Sequence, residues 1–176
     1  MSGHSHWSGI KHKKESTDKK RAILFSKLLN TITIAAKKEP NPQFNPTLRS
    51  AIEKAKQNNV PQDNIEKAIK RASEKTDNLE ELTMEAYGPE GVAILIEAIT
   101  DSKNRAVAET KKILSDHEAK WADPGSVLWA FKKSTDGWQA KFKNEISKEA
   151  KEKLTRLIEE LENHDDIQKV TTNTTF

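Results

Sequence analysis

The sequence predicts an α+β protein: a small N-terminal helical bundle followed by an α/β-layer domain in the order β-β-α-β-β-α-β. Three observations predict it. From Phe25 to Ala72 apolar residues recur at spacings of three and four, the period of a helix with one buried face. From Leu82 onward the period shortens to two and then to apolar runs of strand length. Between these regions, SEKTDNLEE (73–81) has no apolar pattern and reads as a linker, which divides the chain into domains 1–78 and 79–176.

The elements follow in order. Residues 1–15 (MSGHSHWSGIKHKKE) show no sustained period and are expected as an arm, flexible or ordered by a partner. Phe25, Leu28, Leu29, Ile32, Ala35 and Ala36 place a helix over Ser16 to Lys38, and Pro40, Pro42 and Pro46 forbid its continuation. Asn45-Pro46 is a helix start, a side-chain cap followed by a residue whose missing N–H costs nothing at the first helical position. Leu48, Ala51, Ile52 and Ala55 give that helix its stripe, Asn58-Asn59 its end, and Pro61 opens a third helix carrying Ile65, Ala68, Ile69 and Ala72. In the second domain, Leu82–Tyr87 and Val92–Ile99 read as strands joined through Gly88-Pro89-Glu90-Gly91. A helix is expected over Asn104 to His117, strands over Ser126 to Phe131 and Trp138 to Phe142, a helix capped by Ser147, and a closing strand over Ile167 to Thr172.

Charge separates the same two regions. The net charge of +3 hides 16 Lys and Arg against 8 Asp and Glu in residues 1–78, and 14 against 19 in residues 79–176. A basic half points to a polyanion partner, because lysine and arginine at phosphates release condensed counterions. The absence of cysteine excludes disulfides, a thiolate nucleophile and cysteine-based zinc sites. The polar, histidine-rich start is not a secretory signal and no apolar run is long enough to cross a bilayer, so a cytoplasmic protein without a membrane partner is expected.

The strongest chemical signal is the run Lys11, Lys13, Lys14, Lys19, Lys20 and Arg21, with His4, Trp7 and His12 beside it. Cations along a segment meet phosphates without reading sequence, while an aromatic ring can stack on an exposed base or wedge into a groove. Lys70 and Arg71, with Lys67 and Lys75, add a second basic group in the same domain. His4, His6 and His12 read as polar arm residues rather than metal ligands, so neither metal nor cofactor is expected. Glu97, Asp101, Asp116 and His117 lack a nucleophile–base arrangement, and GPEG is not a phosphate loop, so no enzyme is expected. Trp129, Phe131 and Trp138 read as core of the second domain.

Four stretches together resemble the YebC/PmpR family of transcriptional regulators, whose mitochondrial relatives are translational activators for cytochrome oxidase. They are GHSHWSGIKHKK with DKKRAILFSKL, NPTLRSAIEKAKQNNVPQDNIEKAIKRA, YGPEGVAILIEAITDSKNRAVAE and GSVLWAFKK, and LIEELENHDDIQKVTTN is similar to the family's closing helix and strand. The resemblance implies a helical N-terminal domain with α/β domains behind it, DNA binding, and contacts made by Gly3, His4, Ser5, Trp7, Lys11, His12, Lys20 and Arg21. It also implies glycine where this chain has Glu90 and a glycine pair where it has Glu118-Ala119, and a third α/β domain where only KKSTDGW stands. The function expected is a non-enzymatic DNA-binding regulator of transcription; the alternative is a translation factor associated with the ribosome or RNA. The acidic second domain is expected to position the first or to bind protein.

Overall fold

The computed structural model describes residues 4–74, 78–135 and 137–174, with side chains from Thr17 onward. The chain divides into two compact units, Met1–Lys75 and Thr76–Phe176.

The first unit holds α1 (His4–Ala36), α2 (Pro46–Gln57) and α3 (Gln62–Arg71). Helix α1 starts well before the expected Ser16, so residues 4–15 have helical backbone where an irregular arm was expected. No proline precedes Pro40, and the Lys-rich stretch after Ile10 is built largely from good helix formers, so nothing local halts the helix at Ser16. Its apolar stripe begins only at Phe25; from there Leu28, Ile32 and Ala35 pack on Leu48, Ala51 and Ala55 of α2 and Ile65 and Ala68 of α3. Ile32 and Leu48 are fully buried, and burying each stabilises the unit by about 1.5–3 kcal/mol.

Asn45 joins two helix ends at once. Its Oδ1 accepts the Leu48 N–H at 3.0 Å, capping α2, while its Nδ2 donates to the carbonyls of Ala35 (2.9 Å) and Glu39 (2.7 Å) around the end of α1. Buried Thr33 donates its hydroxyl to the Ala68 carbonyl at 3.0 Å, fixing α3 against α1.

The second unit holds β1 (Glu80–Tyr87), β2 (Ala93–Thr100), α4 (Lys103–Asp116), β3 (Lys120–Ala122), β4 (Phe131–Ser134), β5 (Gly137–Ala140), α5 (Lys148–Glu162) and β6 (Ile167–Thr172). One antiparallel sheet has the order β3-β1-β2-β6, and β4-β5 form a separate hairpin. Strand β2 is buried on both faces, which is why AILIEAIT is almost uninterruptedly apolar. Ile94, Ile96 and Ala98, with Met84 and Ala86 of β1, meet Leu114 of α4 and Leu154, Leu157 and Leu161 of α5. Ala93 and Leu95 face the other way, onto Ala122, Val127, Ala130 and Phe131.

Two details depart from the expected order. Strand β3 is an additional short strand, and the strand expected over Ser126 to Phe131 is mostly a 3₁₀ turn, Leu128–Ala130. The cause is Glu85. Its buried carboxylate accepts the N–H groups of Gly125 (2.6 Å), Val127 (2.7 Å) and Leu128 (2.9 Å), so these amides point at one side chain instead of a neighbouring strand.

Glu90 and Glu118 both have positive φ, 53° and 58°. This is left-handed backbone that glycine adopts without penalty, and these are the positions where the family resemblance implies glycine. Glu90 has a compensating role: its carboxylate accepts the Ser147 hydroxyl (2.6 Å) and amide (2.9 Å) at the start of α5. Among the described residues, no helix is long and apolar enough to cross a membrane.

Candidate nucleic-acid interface

Lys19, Lys20 and Arg21 lie on α1 ahead of its buried stripe, and every residue from Thr17 to Ala22 is exposed. They are exposed because the bundle core ends near Phe25, leaving this part of the helix without apolar residues to bury. The Arg21 guanidinium sits 5.1 Å from the Phe25 ring centroid, a cation–π contact that orients its side chain on the helix surface. The side chains of His4, Trp7, Lys11, His12, Lys13 and Lys14 lie outside the described residues, although their backbone belongs to α1.

The second basic group sits at the C-terminal end of α3. Lys70 and Arg71 occupy its last turn, where cations complement the helix dipole. Lys67 and Arg71 also line an open groove of about 310 Å³ with Leu29, Thr33, Asn64 and Ala68. Ala68 is bonded to Thr33 and Arg71 shares the groove with Leu29, so α3 runs along α1 toward its N-terminal end. Leu29 lies eight residues from Arg21, about 12 Å at the helical rise of 1.5 Å per residue. The two basic groups therefore flank one stretch of α1 without meeting at a single point. A further groove of about 340 Å³, lined by Arg49, Ile52, Glu53 and Lys56 of α2 and Ile65 and Ile69 of α3, lies between these helices.

Asp101, Asp116 and His117, candidates for chemistry in the second unit, are each held in a pair. Asp101 pairs with Arg105 (2.9 Å), Asp116 with Lys112 (2.5 Å) and His117 with Glu160 (2.5 Å). Asp101 and Asp116 stand at opposite ends of α4, so these residues form no common site. Glu109, His164 and Asp166 each offer a ligand atom within 4.8 Å of one another. A guanidinium already occupies that cluster: Arg105 lies 2.9 Å from Asp166 and 3.9 Å from Glu109, and the Asp166 carboxylate beside it raises the Arg105 pKa further. The Asp166 amide donates to His164 Nδ1, which leaves Nε2 protonated to donate to Glu109 at 2.8 Å. These contacts tie α4 to the α5–β6 connection, and a cation entering them would have to displace Arg105.

The aromatic residues expected in the core separate. Phe131 is buried and Trp138 half-buried, but Trp129 is 63% exposed, on the 3₁₀ turn that Glu85 holds. Phe142, read only as the end of a strand, is 59% exposed beside it. Neither exposure has a local sequence signal, because both depend on a turn fixed from β1.

Comparison with known proteins identifies the architecture. A family model described as the TACO1/YebC protein N-terminal domain matches residues 5–75, and one described as the TACO1/YebC second and third domain matches residues 79–136. A "probable transcriptional regulatory protein" of Desulfosudis oleivorans is 49% identical over 136 residues, covering 76% of this chain and 55% of its own. A protein of the same description from Dictyoglomus turgidum is 48% identical over 134 residues, covering 74% and 54%. The chain thus spans about half the length of the curated relatives it matches. The crystal structure of the conserved hypothetical protein Aq1575 from Aquifex aeolicus superposes with a TM-score of 0.84 at 29% identity, over 97% of each chain. With two family models on consecutive parts of the chain and a solved relative of the same fold, this chain belongs to the TACO1/YebC family.

Proposed function

We propose that this protein is a non-enzymatic, DNA-binding regulator of transcription that captures the phosphate backbone through α1. The observation carrying this reading is the exposed basic stretch at Lys19, Lys20 and Arg21, ahead of the bundle core and continuous in sequence with Lys11, Lys13 and Lys14. The name shared by the curated relatives, probable transcriptional regulatory protein, supports the regulatory part of the reading. Lys70 and Arg71 supply a secondary phosphate contact flanking α1. His4 and His12 add polar contacts, and Trp7 adds a stacking or wedging contact. The acidic second unit positions the first or contacts protein, and the protein acts in the cytoplasm.

Phosphate contacts of this kind set affinity and orientation without reading base sequence. The test is a competition at physiological salt, in which unlabelled duplexes and purified ribosomes are titrated separately against protein bound to a labelled random duplex. Promoter-containing DNA should compete far better than random DNA, with ribosomes weaker than either. Ribosomes competing at nanomolar concentration, with every duplex alike, would replace this reading with that of a ribosome-associated translation factor.

A further inference from the structure

We propose that Trp129 and Phe142, set among Lys132, Lys133, Lys141 and Lys143, form a second nucleic-acid contact, in which unpaired bases of a single strand stack on the exposed rings. The ladder of β4 and β5 pairs Phe131 with Ala140 and continues through the Lys141 N–H to the Ala130 carbonyl at 2.8 Å. This brings Trp129 opposite Phe142, with ring centroids 6.2 Å apart and planes inclined at 45°. Packing these rings against each other leaves Trp129 63% and Phe142 59% exposed, an unusual state for such large apolar groups.

The tryptophan is held in place while it is exposed. Its Nε1 donates to the Ser126 carbonyl at 2.8 Å, and the Tyr87 hydroxyl donates to the same oxygen at 3.0 Å. The turn beneath is fixed by the three amides on Glu85. A ring whose polar edge is already bonded and whose backbone is anchored loses little conformational entropy when a flat partner settles on it.

The surrounding charge selects the partner. The second half of the chain has 14 basic and 19 acidic residues, yet 129–143 contains four lysines against Asp136 alone. All four lysines are exposed. Lysine is depleted at protein–protein contacts, whereas exposed aromatics interleaved with cations are how single-strand grooves combine base stacking with phosphate attraction. Trp129 and Phe142 supply the stacking surface and Lys132, Lys141 and Lys143 meet the phosphates, while the Lys133 ammonium lies 5.8 Å from the Trp138 ring centroid.

The test measures binding of the full chain at physiological salt to labelled oligouridylate, oligothymidylate and an abasic sugar–phosphate strand of equal length. The base-bearing strands should bind roughly tenfold or more tightly than the abasic one, the factor expected from stacking a single base. Trp129→Ala combined with Phe142→Ala should remove that difference while leaving the thermal unfolding of the second unit in place, and Phe142→Tyr, which keeps a ring, should preserve it. The difference should persist when Lys19, Lys20 and Arg21 are replaced by alanine, which separates this contact from the one on α1. Preference for uridylate or thymidylate names RNA or DNA as the source of the strand. Equal binding of abasic and base-bearing strands, or a double-alanine variant that binds like the parent, overturns the proposal. So does a double variant that only abolishes self-association, since the patch would then belong to a second copy of the chain.

Discussion

Replacing Glu85 by alanine should destabilise the second unit by about 3 kcal/mol, because the substitution strands three backbone donors at once. The Val127 N–H lies in a buried residue, and those of Gly125 and Leu128 are in more accessible ones. A buried donor without a partner costs about 1–3 kcal/mol, and water rescue brings the accessible pair to about 1 kcal/mol each. Releasing the buried carboxylate from its desolvation returns part of that sum, leaving about 3 kcal/mol. Glu85→Gln should cost only about 1 kcal/mol, since its carbonyl oxygen can keep Val127 and Leu128 while its NH₂ faces the Gly125 donor. The assay is urea unfolding followed by tryptophan emission, to which Trp121, Trp129 and Trp138 of this unit contribute, with amide exchange at residues 125, 127 and 128. An alanine variant within about 1 kcal/mol of the parent, or unchanged exchange at those amides, would refute the assignment of Glu85 as the anchor of the turn.

Four other outcomes follow from the same geometry. Asn45→Ala should destabilise the first unit by about 2 kcal/mol in thermal unfolding, because one side chain caps α2 and satisfies two carbonyls around the end of α1. Glu118→Gly should stabilise the second unit by about 1 kcal/mol by relieving positive φ, since the Glu118 carboxylate gives up little more than a surface ion pair with Lys153 at 3.9 Å. Hydrogen bonds from the Ser147 hydroxyl and amide hold the Glu90 pKa below its ordinary value, so this link stabilises above the ordinary carboxylate range and fades as pH falls through the lowered value; Glu90→Gln should flatten the acid limb of a melting-temperature profile. Burial pushes the Glu97 pKa up, against the pull of Lys169 and Lys133, so its contribution has the opposite sign and weakens as pH rises from the ordinary carboxylate range through the raised value; Glu97→Gln should remove that decline in the same profile.

Much of the fold was legible because its signals are local. Asn45-Pro46 and Ser147 cap the helices their sequences announce, and the apolar stripes of α2 and α5 are the faces that become buried. The all-apolar run of β2 reports burial on both faces before either covering layer is known. What escaped the sequence is decided at a distance. Glu85 alternates with Met84 and Ala86 and so reads as a solvent-facing strand residue, but the segment after β3 folds over that face and binds its carboxylate. The same event turns the expected strand around Trp129 into a 3₁₀ turn and leaves its ring exposed. Of the interface, the exposure of Lys19, Lys20 and Arg21 follows from the apolar stripe beginning at Phe25, whereas the approach of Lys67 and Arg71 to α1 depends on how α3 packs.

The most direct test of the central claim is the salt dependence of duplex binding by the parent chain and by a variant with Lys13, Lys14, Lys20 and Arg21 all replaced by alanine. Each cation withdrawn from a phosphate should reduce the slope of log affinity against log salt by about 0.9, so the account predicts weaker binding and a slope smaller by about 3–4. Equal affinity for parent and variant at every salt concentration would contradict it.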